Sequence, residues 1–553
     1  MRRRRLTVGL SALAVVAIVV VVATVGGSSP PSRAKSSERT TTTTKRPAVV
    51  PPSPAHTTTT LTPYGLQASW VVAENKLPGT TGWQIRREPA TGSIDGFASV
   101  PYAAAGERVV LYVNTTAPSF HVMAYRMGYY GGTGGRLVWR SAQIAGRAQP
   151  TCPLTPGINM VSCDNWAPSL SFRVSTSWVT GDYLLKLVGL GNEQSYILLV
   201  IWDPGAHAAY VIKNDLYTEE AWNTYGGYDF YQGLGTCAES YPPCNRARVV
   251  SMDRPMAGNG ASDFFANEYP LVRFAEEHGL DVTYADDLTI EQHPAWLLQQ
   301  RTLLSLGHDE CWSLAEREAA QAAQNRGVNM VFFGASAVLR HVRLQASPLG
   351  PDREIVDYRD SSEDPLNGKV SPLEVTGNTW FSPPTDWPES GFVGEMYAGF
   401  LEPGSPPEPF VVYDANAWIF KGTGLQDGSA LPGVIQADFD HVAPSWPMPS
   451  DLQVLGHSPI LLANSQTELG QWGEYTYSDM TYYTTPKSKA GVLDTGDNNW
   501  IYSMNPCAPG VTACPAPAVQ QITGNLLWLF GQGPAGRFIP SVTNWSQVTP
   551  AGS

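Results

Sequence analysis

The chain has 553 residues, 43% of them hydrophobic and 15% charged, with a formal net charge of -13. That length and apolar content exclude a disordered tail or a single small domain and leave room for two to four cores. The acidic balance, with no large basic patch beyond the first few residues, argues against nucleic acid as a partner.

Arg2 to Arg5 form a positive cluster, and residues 6–25 carry no charge. A helix of that length spans about 30 Å, the hydrocarbon thickness of a bilayer. Residues 1–27 therefore read as a membrane anchor with the bulk of the chain outside. The rival reading is a cleaved signal peptide, with 21–23 (Val-Val-Ala) as a small-residue site. Either one exports the chain, as a single-pass membrane protein or a secreted one. Residues 28–68 are rich in Thr, Pro and Ser, too poor in apolar side chains to offset the entropy of ordering, and read as a stalk.

Six of the seven cysteines fall into close pairs: Cys152 with Cys163, Cys237 with Cys244, and Cys507 with Cys514. In an oxidising compartment these read as local disulfides, each stabilising by about 2–3 kcal/mol. Zinc is the alternative, but the spacings are not those of paired CxxC ligands. Cys311 is left over.

Residues 69–202 hold β-branched and aromatic runs at 108–113, 120–126, 171–174, 183–188 and 196–201, separated by turn residues. They predict an antiparallel immunoglobulin-like β-sandwich. The glycine-dense stretch at 125–136 reads as a structural turn. From 203 to 540 the texture changes. A short strand at 209–212 precedes a helix over 263–277 with Ser262 as its N-cap. A strand at 303–306, a helix over 313–326 and a buried strand at 328–333 follow. Alternating strands and helices predict a mostly parallel α/β sheet with a β-rich insertion, ending in a tail at 541–553. Ligands on such sheets sit beyond the carboxyl ends of the strands.

Gly307-His308-Asp309-Glu310-Cys311-Trp312-Ser313 lies directly after one such strand. One imidazole, two carboxylates and a thiol at a strand end make His308, Asp309 and Glu310 the candidate catalytic groups. A helix opening there would stabilise a carboxylate or lower the thiol pKa. The plainer alternative is that Asp309 or Ser313 caps the helix and Trp312 packs.

With this motif, the chain resembles the large (beta) subunit of N,N-dimethylformamidase and its relatives. The other matching stretches are 125–136, Trp222-Asn223-Thr224-Tyr225-Gly226-Gly227, Ser251-Met252-Asp253-Arg254-Pro255, 268–274, Tyr358-Arg359-Asp360, Pro388-Glu389, 394–397 and 491–496. The resemblance implies a sandwich followed by a domain similar to class I glutamine amidotransferases. The turn after the 328–333 strand carries Ser336 and no Cys, which removes Cys–His glutamine hydrolysis. The resemblance also implies a mononuclear iron held by two tyrosinates and a glutamate, acting as a Lewis acid on water. Tyr269 and Glu389 match that set, with Tyr225 in reserve. Cys311 stands where relatives carry Tyr in the pattern HDEYWS, and thiolate is a softer ligand.

Arg254, Arg273 and Arg343 read as ion-pair formers, His341 and His441 as structural, and the tyrosines at 475, 477, 482 and 483 as strand packing or a sugar groove. Two functions follow as expectations. One is a metal-dependent extracytoplasmic hydrolase of amide C–N bonds acting on a small amide. The other is a non-catalytic envelope protein that binds cell-wall glycan. Redox sensing through Cys311 is a third.

Overall fold

The computed structural model describes residues 58–548 apart from 86–91, 237–243, 378, 468–470, 472, 509–510 and 512. The proposed anchor at 1–27 and most of the stalk lie outside the described residues. Among the described residues, no helix is long and apolar enough to cross a membrane.

Two sheets face each other in the first region. Leu170–Arg173, Arg108–Thr115 and Ile94–Ala98 make the smaller one, all antiparallel. The larger contains Gln194–Ile201, Gly181–Gly189, Ser119–Met127 and Gly135–Arg140. Period-two alternation drives the packing: Val109, Leu111 and Val113 point inward from one strand and meet Val122, Leu185, Leu187 and Leu199 from the other sheet. The Gly181–Gly189 strand is buried on both faces rather than one. Its outer side is covered by the segment that follows residue 260, through contacts of Leu184 and Tyr125 with Ala261 and Phe264.

A buried ion pair crosses that junction. Arg126 Nη2 lies 2.6 Å from Glu276 Oε1, with both side chains fully enclosed. The Tyr284 hydroxyl donates to the same carboxylate at 2.8 Å. The sandwich and the region after it thus share a polar contact that neither could leave exposed to an apolar interface without large cost.

The second region is built on a seven-stranded sheet. Its order is Val282–Asp286, Tyr210–Asn214, Thr302–Ser305, Asn329–Phe332, Gly491–Asp494, Tyr475–Thr484, Gln453–Leu461. The first five strands run parallel; Tyr475–Thr484 runs against them, and Gln453–Leu461 pairs antiparallel with it. Both faces are covered, so these strands read as continuous apolar runs. Ile212, Leu304, Val331 and Leu493 pack toward the helix Ala516–Phe530. Val211, Leu303, Met330 and Val492 pack toward the helix Leu314–Gln324.

The expectation of a mostly parallel α/β, glutamine amidotransferase-like fold is overturned. Strand outweighs helix, 33% against 20%, and the sheets are many and mixed or antiparallel. Strands and helices alternate only as far as residue 332. From there to Pro515 the chain makes hairpins and short 3-10 turns, because its Pro- and Gly-rich stretches interrupt every helical period. The predicted helix over 263–277 also differs. Phe264–Glu268 is π-helical and only Tyr269–Glu277 is α-helical, and Ser262 does not cap it. Pro270 lacks the N–H that a continuous α-helix would use at that point, so the wider turn precedes it.

Three of the predicted features are seen directly. Cys152–Cys163 and Cys507–Cys514 are disulfides. Cys244 is also disulfide-bonded, and Cys237 falls outside the described residues. Ser313 caps the Leu314–Gln324 helix, its Oγ accepting from Glu316 N at 3.1 Å.

Lys213 ties the sheet to its helices. Its Nζ contacts Asp287, and lies 2.8 Å from Asp309 Oδ2 and 2.9 Å from Glu316 Oε1, with no exposure. It also sits over the Trp312 ring at 4.6 Å. One cation thus joins a strand, two helices and the loop after a neighbouring strand. Removing it leaves three buried carboxyls without a counter-charge. Lys213→Met is predicted to cost about 3–5 kcal/mol, read by urea unfolding of the full chain; a change below about 1 kcal/mol would contradict this role.

Candidate functional site

The parallel strands end side by side, and the residues just past their carboxyl ends form the site. Asp215 follows Tyr210–Asn214, Gly307 and His308 follow Thr302–Ser305, and Gly334 to Ser336 follow Asn329–Phe332. The second and third of these turns touch backbone to backbone. A Cβ on Gly334 would lie 1.6 Å from the Gly307 carbonyl oxygen. Gly307 itself has φ +47, and a Cβ there would meet Asn267 at 2.5 Å. Only glycine fits both positions.

Past Gly307 the side chains divide. Two groups face outward and two inward, because extended backbone sends successive side chains to opposite sides. Asp309 points in, to Lys213 and to Ser305 Oγ at 2.5 Å. Burial and Asp287 push its pKa up, Lys213 opposes them, and the result is about 6. Cys311 also points in. It is fully buried among Tyr217, Ala221, Phe230 and Val342. The predicted lowering of its thiol pKa by a helix terminus is reversed. Cys311 lies on the short strand Cys311–Ser313, the helix begins at Leu314, and burial with the Glu310 charge raises the thiol well above its usual value. The enclosure also removes the redox-sensing expectation's main requirement, an accessible thiol.

Glu310 and His308 face outward. Glu310 Oε1 accepts from Arg340 Nε at 3.0 Å. Its Oε2 accepts from Trp222 Nε1 at 3.2 Å and from the Tyr231 hydroxyl. Burial would raise the Glu310 pKa, but Arg340, His308 and the Tyr231 hydroxyl outweigh it and hold the carboxyl below its usual range. Its backbone is fixed as well. Thr218 Oγ1 accepts from the N–H groups of Glu310 and Cys311 at 3.0 and 2.9 Å, and Arg340 N donates to Glu310 O at 2.8 Å.

His308 Nε2 lies 3.5 Å from Glu310 Oε2 and 3.5 Å from Asp438 Oδ2. Burial disfavours the charged ring, but Asp438, Glu310 and Asp215 prevail and raise its pKa to about 9. At neutral pH the ring is an imidazolium. Asp438 also meets Ser336, whose hydroxyl is 3.0 Å from Oδ2 and 2.7 Å from the Ala335 carbonyl. Ser336 holds φ +52, a strained position for a residue with a Cβ. Asp440 fixes it by accepting from its N–H at 2.8 Å.

Aromatic rings wall this space. Trp222 stacks on Tyr231 with centroids 3.6 Å apart, and His308 tilts against Trp222 at 5.6 Å. Arg359 sits over Tyr231 at 4.5 Å. Trp222 is 41% exposed, while His308 and Asp438 are each about one-fifth exposed. Trp222 thus reaches solvent and His308 and Asp438 do so in part, while His308 Nε2, Glu310 and Arg340 are enclosed.

The residues proposed for metal have separate surroundings. The Tyr269 hydroxyl donates to the Gly134 and Gly128 carbonyls at the sandwich junction. Cys311 is in the core just described. Glu389 is enclosed beside Arg317, its pKa raised to about 7 by burial against the pull of its own backbone N–H and of Arg317. Tyr225 packs against the sandwich near Phe97 and Trp166. Around Glu310 there is one tyrosine hydroxyl, and both carboxylate oxygens are occupied by donors, with Arg340 and His308 adding positive charge. This donor set does not fit an iron held by two tyrosinates and a glutamate, and no step below runs through one.

Sequence reasoning missed Tyr231, Arg340 and Asp438. Tyr231 lies nine residues past Trp222 in a Gly- and Tyr-rich loop, which was a readable cue. Asp438 comes from the β-rich stretch, about 130 positions from His308, and nothing local marks it. The other singled-out residues are structural. Arg254 donates to the Tyr228 and Glu220 carbonyls, Arg343 pairs with Asp364 at 3.0 Å, and His341 stacks on Trp380 with a pKa lowered to about 3 by burial. Tyr482 and Tyr483 are buried, and Tyr477 stacks on His457.

A family model described as N,N-dimethylformamidase beta subunit-like, C-terminal, matches residues 121–514. No curated protein matches the chain. Among solved structures, a Paenibacillus sp. cycloisomaltooligosaccharide glucanotransferase complexed with cycloisomaltoheptaose aligns with TM-score 0.13 and 6% identity, over 49% of this chain and 34% of that one. The chain thus spans about a third of that protein's length, and a likeness so slight carries no argument.

The His308 environment makes a stability prediction. Its folded pKa of about 9 exceeds the ordinary 6.5, so its contribution is complete below pH 6.5 and is lost as pH rises through 9. The melting temperature should fall across that window in the wild type, and His308→Gln should flatten the fall. An equal slope in both proteins would contradict the assignment.

Proposed function

Because the chain belongs to the N,N-dimethylformamidase beta subunit-like family, matched over residues 121–514, we propose that the His308–Glu310 site recognises and hydrolyses a small neutral amide. The disulfides support an oxidising setting for the folded part, extracytoplasmic or secreted. Attachment to the membrane through residues 6–25 is part of the proposal.

One observation carries this reading: a partly exposed imidazolium stands beside an exposed tryptophan. An amide is planar and uncharged, so it stacks on Trp222 at little desolvation cost. His308 donates to its carbonyl oxygen, where negative charge develops as the carbon becomes tetrahedral. Water adds to the carbonyl carbon and gives a proton to Asp438. The C–N bond then breaks as His308 protonates the leaving nitrogen, and proton return from Asp438 restores the site. Glu310 and Arg340 act as positioning residues, since their donors and acceptors are already satisfied by one another, Trp222 and Tyr231.

A specific observation favours the second reading, a non-catalytic envelope protein. Glu310 has no free oxygen and Ser336 is enclosed, so the groups left for chemistry are few. The exposed Trp222 would then serve a glycan as readily as an amide.

The two readings separate in one experiment. The full chain in mild detergent is incubated with formamide, acetamide and N-methylated amides, and amine release is measured against pH. Hydrolysis predicts turnover that declines above about pH 9 and falls by about 10²–10⁴ in His308→Gln. Absence of turnover on every amide, with retention on isolated cell-wall glycan lost in Trp222→Ala, would replace the hydrolase reading with the binding one.

A further inference from the structure

Next to the amide site is a second cluster that the proposed reaction does not use. Asp215, Glu219 and Glu268 each offer a carboxylate oxygen, and these atoms all lie within 4.8 Å of one another. Among the described residues, no other group of three His, Cys, Asp or Glu side chains converges so closely. The local sequence builds this arrangement. Asp215 stands at the N-cap of the Leu216–Ala221 helix and Glu219 four residues on, in its first turn. Glu268 comes from the last residue of the π-helical turn Phe264–Glu268, which re-aims it from the course a plain α-helix would follow.

Several other buried acids in this protein have cations: Glu276 has Arg126, Asp253 has Arg353, and Asp309 has Lys213. Glu268 accepts from Asn214 Nδ2 and from the Asp215 N–H at 3.0 Å, but among the described residues none of Asp215, Glu219 and Glu268 pairs with a Lys or Arg. All three are buried, and burial followed by the charges of neighbouring acids raises each pKa well above its ordinary value. Proteins do not bury three carboxylates together without protons, hydrogen bonds or a cation to offset the repulsion.

Further observations point to the cation. Asp182, on the sandwich strand Gly181–Gly189, is wholly enclosed, with the Asn214 amide and the Arg126 charge beside it. It is close enough for its charge to raise the Glu268 pKa. Asp215 Oδ1 and Asn214 Oδ1 are without partners, although both residues are only 2% exposed. A cavity of about 70 Å³ borders Asn214 and Glu219.

We propose that Asp215, Glu219 and Glu268 bind a hard divalent cation, with water from the cavity completing its shell. Oxygen-only donors select magnesium, calcium or manganese over the softer metals. Oxygens spread over 4.8 Å span the shell of either a small or a larger ion, whose metal–oxygen distances are about 2.0–2.6 Å. The ion would sit near the sandwich residue Asp182, whose charge reaches Glu268, and does not depend on the amide reading.

The test uses the full chain in mild detergent, treated with EDTA and dialysed. Magnesium, calcium and manganese chlorides are each titrated in, with melting temperature and retained metal by mass spectrometry as readouts. The proposal predicts about one retained ion per chain, a saturable rise in melting temperature, and affinity at least about tenfold weaker in Glu219→Gln. Absence of both retained metal and a shift with all three cations in the wild type would overturn it, whether or not the variant folds. In that case the acids share protons, and Glu219→Gln should raise the metal-free melting temperature by relieving repulsion. If amide turnover fails while the ion is retained, the cation site stands and only the hydrolase reading goes.

Discussion

The buried ammonium of Lys213 is the contact on which the site depends. It belongs to a central strand, and its three carboxylate partners come from the start of one helix, the first turn of another and the motif loop. With Asp309 held to it, the chain between Gly307 and Ser313 has one course available. His308 and Glu310 must then face the opposite side. The stability of the fold and the orientation of the reactive groups are thus set by one electrostatic knot.

That division redistributes the roles of the four consecutive polar residues. Asp309 and Cys311 are enclosed and serve the core. His308 and Glu310 meet groups from distant parts of the chain: Trp222, Tyr231, Arg340 and Asp438. Two carboxylates hold the imidazole protonated, and an arginine holds one of those carboxylates ionised. The outcome is a fixed donor at neutral pH rather than a base, which suits stabilising charge on an oxygen more than removing a proton from a strong O–H bond.

Much of this was legible where it was local. Ser313 as a cap, the pairs Cys152–Cys163 and Cys507–Cys514, and the inward alternation of Val109, Leu111 and Val113 are all local features. The motif after the Thr302–Ser305 strand was found because strand ends collect function. What failed was long-range. The fold class was misjudged because the strand–helix alternation up to residue 332 was extended over a hairpin-rich half. Tyr269, Cys311 and Glu389 were grouped by resemblance, yet they have unrelated neighbours. Asp438 reaches His308 only through the antiparallel strands Met396–Leu401 and Asp438–His441, whose register no sequence window reveals. The acid pair Asp215 and Glu219 was readable at its spacing of four, but Glu268 joins it through a π-turn that periodicity does not foretell.

The central claim is that His308 and Glu310 face the Trp222 and Asp438 side of the motif while Asp309 and Cys311 are turned away from it. A crystal structure of the full chain soaked in acetamide tests this most directly. The account predicts the amide plane lying along Trp222, its carbonyl oxygen within hydrogen-bond distance of His308 Nε2, and Asp309 still on Lys213. An amide bound elsewhere, or His308 turned into the core with Asp309 facing solvent, would contradict it.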